Sequence, residues 1–346
     1  MRRHLNTLYV TTQGAWLSKD GENIVVSVEG EERGRVPLHT LGAVTGFGRV
    51  LMSPPLLGAC AEAGISVNYL TEEGRFLARV EGPVSGNVLL RRAQYRWADH
   101  VGRCEGIVKS IVAGKILNQR AVIARALRDH GMSTGEQALA ALSSANDRLC
   151  QIVRRLEKPM DTDALRGAEG EAGQTYFAVF DHLVRGEKPL FAFNGRSRRP
   201  PLDAINAVLS FLYALLTSDC RAALESVGLD PAVGYLHTDR PGRPSLALDL
   251  MEEFRPCFAD RLALSLVNRR QLSAKDFRTL DNKATLLTDE GRKSVLVAYQ
   301  ERKRDEIQHP FLDEKLTVGL LWFVQAQLLA RHIRGDLDAY PPFLWK

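Results

Sequence analysis

Acidic and histidine side chains that could bind a metal ion occur at two places in the sequence. The first is Glu169, in the segment Leu165-Arg-Gly-Ala-Glu-Gly-Glu-Ala-Gly-Gln-Thr-Tyr-Phe177. If this segment is helical, Glu169 shares a face with small and apolar residues at i+3, i+4 and i+7, whereas Glu171 is rotated by about 200° toward solvent. A carboxylate that faces inward needs a cation or a hydrogen-bond donor. Two alternatives stay open for Glu169: an ion pair with a basic side chain, which is the commoner case, and a metal ligand.

The second place is a turn-rich loop that contains His237 and precedes a short amphipathic pattern. In that pattern Asp249, Glu252 and Glu253 occur at i, i+3 and i+4, so a helix would present three acids on one face, where they repel one another. An acidic triplet beside a histidine is typical of a site for a hard cation. The alternative is an acidic edge paired with nearby arginines and a histidine that only forms hydrogen bonds.

Three glycines, Gly167, Gly170 and Gly173, follow one another at three-residue spacing around Glu169. Each weakens a helix by about 1 kcal/mol relative to alanine. We therefore expect either close packing or the approach of a ligand to account for them.

Basic residues occur in four clusters, two of which have aromatic neighbours. The clusters are Arg91, Arg92 and Arg96; Arg154, Arg155 and Lys158; Arg196, Arg198 and Arg199; and Arg302, Lys303 and Arg304. Tyr95 and Trp97 adjoin the first cluster, and Phe191 and Phe193 adjoin the third. Basic residues with interleaved aromatics suit phosphate binding and base stacking. One such cluster is usually only a solvated surface, but four of them favour a nucleic-acid partner.

Several other classes of function find no support. The 346-residue chain contains no phosphate-binding G-x-x-x-x-G-K-[ST] motif, no G-x-G-x-x-G after a strand and no H-x-x-x-H pair. Its five cysteines are odd in number and widely spaced, which is typical of reduced thiols in a cytoplasmic protein. The longest nearly unbroken apolar stretch, residues 207–216, is shorter than the ~20 residues of a membrane span, so we expect no membrane partner.

The elements that must position these residues form an α+β fold. The first eighty residues read as short strands separated by turns, with one helix that begins at Ser53-Pro54-Pro55 and ends at Gly64. Composition changes in the Gly/Pro/Ser-rich stretch 81–87, and helical periodicity dominates beyond it. We therefore predict an N-terminal β domain over residues 1–84, a linker over 85–90 and a larger, all-helical domain over 91–346.

At the level of motifs the chain resembles the Cas-one family, the CRISPR-associated spacer integrases. The segment around Glu169 resembles the family's E-G-x-x-x-x-x-Y-F signature. Further stretches match in order: Gly48-Arg-Val-Leu-Met-Ser-Pro-Pro-Leu-Leu57, Lys115-Ile-Leu-Asn-Gln-Arg120, Arg198-Arg-Pro-Pro-Leu-Asp-Ala-Ile-Asn206, Gly228-Leu-Asp-Pro-Ala-Val-Gly-Tyr-Leu-His237 and Ser245-Leu-Ala-Leu-Asp-Leu-Met-Glu-Glu-Phe-Arg-Pro256. The Gly-Leu-Asp-Pro and Asp-Leu-Met-Glu forms resemble a type I system, and within it the I-C branch.

The resemblance implies a catalytic metal site and a reaction. The implied metal ligands are Glu169, His237 and Glu252, with Asp249 as a second acidic position near the metal. The implied cofactor is Mg²⁺ or Mn²⁺, since a His/carboxylate set suits these ions. The implied enzyme is an endonuclease and integrase, in which the 3′-hydroxyl of a captured DNA fragment attacks a phosphodiester at a CRISPR repeat. A non-catalytic DNA-binding scaffold of the same fold is the alternative.

The resemblance also implies the partners. These are double-stranded and branched DNA, a second copy of the chain in a homodimer, and the second CRISPR adaptation protein, a small ferredoxin-like dimer. For DNA contacts we expect the arginines of two clusters to serve: Arg196, Arg198, Arg199, Arg91 and Arg92.

Overall fold

The computed structural model describes residues 6–82, 88–130 and 135–345. Its N-terminal region contains eight strands, one α-helix and a short 3-10 helix (Leu38–Thr40). The strands and the α-helix are β1 (Asn6–Val10), β2 (Trp16–Asp20), β3 (Asn23–Val28), β4 (Glu31–Pro37), β5 (Leu41–Phe47), β6 (Leu51–Met52), α1 (Pro54–Glu62), β7 (Ser66–Leu70) and β8 (Phe76–Val80). The strands form two four-stranded sheets, in the orders β1-β5-β7-β8 and β4-β3-β2-β6.

Helix α1 begins where the sequence predicts. Ser53 stands at its N-cap and prolines occupy the first turn, where the missing N–H costs nothing. Leu56 and Cys60 of the helix are fully buried in a core shared with both sheets, beside Leu17 and Ile24. Strands β7 and β8 are antiparallel and form a hairpin.

A helical region follows. Its elements are α2 (Val88–Ala98), α3 (Val101–His130), α4 (Glu136–Arg155), α5 (Thr162–Ala178), α6 (Ala204–Ser226), α7 (Ser245–Glu252), a π-helical segment (Arg255–Asp260), α8 (Arg261–Asn268), β9 (Phe277–Thr279), β10 (Thr285–Leu287), α9 (Asp289–Arg304), β11 (Glu306–Gln308), β12 (Lys315–Thr317) and α10 (Leu321–Arg334). The expected α+β order, a β region and then a helical one, is confirmed. The helical region also contains two antiparallel ribbons, β9-β10 and β11-β12.

The boundary between the two regions is described only in part. Residues 83–87, which include most of the Gly/Pro/Ser-rich stretch, lie outside the described residues. Within the predicted linker of 85–90, residues 88–90 already belong to α2. The domain limits themselves stay a prediction.

Helix α6 forms the centre of the helical region. In the part of the chain that the structure describes, it alone is long and apolar enough to cross a membrane, with a mean hydropathy of 1.3 over 18 residues. The sequence analysis missed this, because it counted only the unbroken apolar run. Of that window, 61% is buried within the fold, among the other helices of the core, so the helix has the burial of a core helix.

The two regions contact each other through α6. A Cβ at Gly74, in the β7-β8 turn, would overlap the ring of Phe211 on α6, and the backbone there has a φ of +87°. Only glycine fits both conditions without strain. Arg79 of β8 forms an ion pair with Glu225 near the other end of α6. Helix α6 therefore packs within the helical region and also contacts the N-terminal sheet that contains β7 and β8.

Candidate functional site

Helix α5 carries Glu169 and confirms the predicted periodicity. Asp161 caps the helix by accepting a hydrogen bond from the Ala164 N–H at 2.7 Å. The buried face consists of Leu165, Ala168, Ala172 and Tyr176.

Glu169 lies at the edge of the buried face, where its carboxylate pairs with the ammonium of Lys115 on α3. Glu171 is as exposed as Glu169, at 29% against 28% of the side chain. The expectation that Glu171 simply faces solvent is wrong, because it pairs with Arg148 and Arg155 of α4. The two glutamates therefore differ in their partners and not in their exposure.

The three glycines of α5 lie against open space. Apart from the adjoining residues and backbone of α5 itself, no atom of the described residues comes within 4 Å of a Cβ built on Gly167, Gly170 or Gly173. Close packing within the chain is therefore not the reason for these glycines, which leaves a ligand as the remaining expectation.

The His237 loop is held by Asp249, whose side chain is fully buried. Asp249 Oδ2 accepts the backbone N–H groups of Tyr235 at 2.6 Å and Leu236 at 3.0 Å, and Oδ1 accepts that of His237 at 2.9 Å. Oδ1 also lies 2.6 Å from His237 Nδ1. Because a carboxylate accepts, Nδ1 is the nitrogen placed to donate, so in the neutral form of the ring the lone pair is on Nε2. Asp249 thus orients the histidine, and its oxygens are already engaged.

A second contact links the loop to α5. Arg166, one turn before Glu169 on the same helix, donates from Nε to the backbone oxygen of Leu236 at 2.7 Å. The sequence analysis did not single out Arg166. Its spacing of three residues from Glu169 is the signal that was available.

The three acids of α7 and its C-cap do not share a cation, contrary to the predicted acidic triplet. Asp249 serves the histidine loop. Glu253 is fully buried and accepts hydrogen bonds from Tyr340 and from the backbone of Phe343, near the end of the chain. Burial outweighs these bonds and raises the pKa of Glu253 to about 7. Only Glu252 remains in the cluster with Glu169.

Glu252 is buried and forms two ion pairs, one from each carboxylate oxygen. Its side chain is 2% exposed, with Oε1 2.5 Å from Arg255 and Oε2 2.6 Å from Lys115 Nζ. Burial raises the pKa of such a carboxyl, but Arg255, Lys115 and His237 together outweigh burial and hold the pKa of Glu252 well below its usual range.

Lys115 is the residue that sequence reasoning missed. Its ammonium lies between Glu169 and Glu252, with only 6% of the side chain exposed. The motif Lys115-Ile-Leu-Asn-Gln-Arg120 was noted, but nothing in its spacing points to either glutamate. In the part of the chain that the structure describes, no three His, Cys, Asp or Glu side chains form a ready metal cluster. The two glutamates approach a shared cation instead, and that cation is a lysine.

The arginines of the third basic cluster, Arg196, Arg198 and Arg199, differ in their exposure to solvent. Arg198 and Arg199 are exposed, but Arg196 turns inward, donates to Asn206 Oδ1 at 2.6 Å and lies 5.1 Å from the Tyr213 ring centre. Desolvation lowers the pKa of Arg196. Of these three predicted DNA contacts, Arg198 and Arg199 are therefore exposed and Arg196 is not.

The aromatics beside this cluster are not available for base stacking. Phe191 and Phe193 are buried in the core. In the other clusters, Arg92 is exposed and Arg91 half-buried on α2, whereas Lys303 is buried in an ion pair with Asp219 at 3.0 Å.

Comparison with known proteins assigns this fold, with its cluster of Lys115, Glu169 and Glu252, to a class of DNA-processing proteins. The sequence profile described as CRISPR associated protein Cas1 matches residues 8–301. The chain belongs to the Cas1 family.

Relatives of known name agree over the whole length. The chain is 61% identical to "CRISPR-associated endonuclease Cas1 2" of Rhodospirillum rubrum and 54% identical to "CRISPR-associated endonuclease Cas1 1" of Chlorobaculum tepidum, with 100% of each chain covered in both cases. A solved structure titled "Casposase bound to integration product" shares the fold, with a TM-score of 0.84 at 21% identity over 99% of this chain and 94% of that one. The predicted enzyme class, a DNA endonuclease and integrase of CRISPR adaptation, is confirmed.

Proposed function

We propose that Glu169, His237 and Glu252 hold the divalent metal of this enzyme, Mg²⁺ or Mn²⁺. The observation that carries the proposal is the cation already shared by the two glutamates, the Lys115 ammonium. Glu252 Oε2 is buried and accepts no hydrogen bond of good geometry from the described residues, so only a cation compensates it. Two carboxylates and a neutral imidazole form a donor set that suits these ions.

Each residue of the site then has a role that its surroundings support. Glu169 and Glu252 supply oxygen ligands from α5 and α7, and His237 supplies Nε2. Asp249 keeps His237 oriented through Nδ1 and does not itself bind the metal. Arg255 neutralises the second oxygen of Glu252. When bound, the metal would lower the pKa of the attacking hydroxyl and neutralise charge that develops on the phosphate.

The same site serves both reactions of the enzyme, depending on the nucleophile. The 3′-hydroxyl of a captured DNA fragment gives strand transfer into a CRISPR repeat, and water gives nicking. No covalent intermediate with the protein is required, so the buried cysteines have no part in the reaction. Open space over the glycines of α5 leaves room for a DNA backbone to approach Glu169.

For partners we propose double-stranded and branched DNA, a homodimer and the second adaptation protein. Arg198 and Arg199, with Arg92 and Arg91 of α2, are the proposed DNA contacts. Arg196 supports the segment that carries Arg198 and Arg199. The Gly-Leu-Asp-Pro and Asp-Leu-Met-Glu motifs favour the I-C branch of type I systems.

The test is nicking of branched DNA by the purified chain with Mn²⁺, with and without EDTA. We expect EDTA to abolish the reaction. His237→Ala should abolish it also while leaving the melting temperature within a few degrees, because Asp249 still accepts three backbone N–H groups. DNA binding that persists in the parent without any nicking, under all metals tried, would instead favour the non-catalytic scaffold.

A further inference from the structure

Residues close to the C-terminus pack against the elements that carry Lys115 and Glu252. Residues 340–345, which we term the C-terminal strap, contact both α3 and α7. Phe343 N–H donates to Glu253 Oε2 at 2.7 Å, and the Tyr340 hydroxyl donates to Glu253 Oε1 at 2.5 Å. The Phe343 ring is fully buried, 5.7 Å from the ring of Phe254. The strap is thus a part of the core and not a loose tail.

Asn118 of α3 joins the three elements. Its Nδ2 donates to the backbone oxygen of Glu253 at 2.8 Å and to that of Phe343 at 2.9 Å. Its Oδ1 accepts the Trp345 N–H at 2.7 Å. One buried amide therefore bonds α3 to the end of α7 and to the strap at two positions. Such a fully satisfied buried network rigidifies its surroundings.

These contacts lie next to the residues of the site. Glu253 follows Glu252 in the chain, and Gly114 precedes Lys115. A Cβ at Gly114 would lie 2.8 Å from Pro342 Cβ and 3.4 Å from Glu253 Cγ, so the side chains of Pro342 and Glu253 both pack directly against α3 at this glycine. The strap therefore contacts α3 and the end of α7 next to the ion pair between Lys115 and Glu252, where it can fix the distance between the two helices.

We propose that the C-terminal strap is a positioning element of the active site, which sets Glu252 against α3 through Glu253, Asn118 and Gly114. The inference rests on the proposed metal site. Without the strap, Glu253 keeps a buried carboxylate that has lost two of its donors, and the end of α7 must move to solvate it. A displacement of about 1 Å at a catalytic group can cost on the order of a hundredfold in rate.

Two variants of the full-length chain test the strap. One deletes residues 340–346, so that Glu253 loses both the Tyr340 hydroxyl and the Phe343 N–H. The other, Gly114→Ala, pushes Pro342 away while adding a better helix former to α3, so a loss cannot come from helix propensity. Gly106→Ala on the same helix is the matched control, since nothing lies within 4 Å of its Cβ. Mn²⁺ binding is measured by electron paramagnetic resonance without DNA, and the Mn²⁺ half-saturation of nicking is measured well below each melting temperature.

We expect both strap variants to weaken Mn²⁺ binding and raise the half-saturation by at least tenfold, with metal-free DNA affinity unchanged and Gly106→Ala like the parent. If the variants melt at a lower temperature but keep the Mn²⁺ binding and half-saturation of the parent, the strap only stabilises the fold. That result would overturn this inference but not the proposed metal site. Parent binding that Glu252→Gln does not alter would overturn the proposed metal site, and this inference with it.

Discussion

Lys115 Nζ lies 2.6 Å from Glu252 Oε2 and also contacts Glu169 Oε1, so one ammonium from α3 joins carboxylates from α5 and α7. With Arg255 on the other oxygen of Glu252, two cations balance the two glutamates. A divalent ion that takes the same oxygens would add two positive charges to a site that is already balanced. Lys115 and the metal should therefore compete.

Lys115→Met is expected to tighten Mn²⁺ binding by about tenfold or more, because it removes the competing charge. The metal-free variant should melt several degrees lower, since a buried carboxylate that loses a partner costs about 3–5 kcal/mol, less the share that Arg255 retains. Saturating Mn²⁺ should restore most of that loss. Thermal melting with and without Mn²⁺ measures both effects.

Lys109→Met, six residues earlier on the same helix, is the control and should resemble the parent in both measurements. Weaker Mn²⁺ binding in Lys115→Met would mean that the lysine supports the metal site rather than competing for it.

Asp249→Asn is expected to weaken Mn²⁺ binding by about 10- to 100-fold, the usual effect of removing the carboxylate that orients a metal-binding histidine. An asparagine cannot accept all four of the contacts that Asp249 makes to the His237 loop. The comparison variant is Asp147→Asn, at an exposed position of α4. Equal Mn²⁺ titrations of the two variants, followed calorimetrically, would argue that His237 Nε2 is not a ligand.

Glu169→Gln and Glu171→Gln form a matched pair on one helix with nearly equal exposure. We expect Glu169→Gln to lose nicking and integration and Glu171→Gln to keep both. The ion pairs of Glu171 with Arg148 and Arg155 are partly exposed, so their loss should cost no more than about 1 kcal/mol of unfolding free energy. Single-turnover nicking rates and urea unfolding give the two readouts. Inactivity of Glu171→Gln with a normal fold would reverse the assignment.

The sequence predicted well those features that local pattern determines. The start of α1, the buried face of α5 and the order of β and helical regions all follow from caps and periodicity. Strands β9 to β12 were missed, because each has only three residues and alternation cannot be recognised over so short a run.

The candidate site was predictable only in part, because its pairings join residues distant in sequence. Lys115 meets Glu169 across 54 residues, and Asn118 meets Phe343 across 225. Side-chain direction was a second obstacle. The spacing of the three arginines 196, 198 and 199 does not show which of them point inward. Arg196 does so because it contacts Asn206 and Tyr213 on α6.

Replacing Arg198 and Arg199 with alanine should reduce the magnitude of the log K versus log[salt] slope for duplex DNA by about 1–2 units, as expected if each neutralises one phosphate. Affinity should fall about equally for all sequences, since phosphate contacts carry no base information. Arg196→Ala should instead lower stability by about 1–3 kcal/mol, through the bond to Asn206 and the contact with Tyr213, and leave the slope unchanged. Fluorescence anisotropy at several salt concentrations separates these outcomes. A slope unaffected by the double variant would assign Arg198 and Arg199 to a protein interface.

Asp260 should make the stability of the enzyme depend on pH. The carboxyl is buried in the core and accepts a hydrogen bond from the Tyr213 hydroxyl at 2.5 Å. Burial outweighs that bond and the nearby arginines and raises the pKa of Asp260 from 3.8 to about 6. The folded chain therefore holds this proton more tightly than the unfolded chain does. The resulting stabilisation is complete below pH 4 and disappears as the pH rises through about 6.

Asp260→Asn should remove this dependence, because the amide oxygen can still accept from Tyr213 but the side chain no longer ionises. A shift of about 2 pKa units corresponds to ~3 kcal/mol. Between pH 4 and 7 the unfolding free energy of the parent should thus fall by up to that amount relative to the variant. Urea unfolding at several pH values gives the difference between the two chains, in which the other titrating groups cancel. Asp163→Asn, exposed on α5, should follow the parent at every pH. Parallel curves for parent and Asp260→Asn would mean that Asp260 is already ionised throughout this range, held as an anion by Arg255 and Arg196.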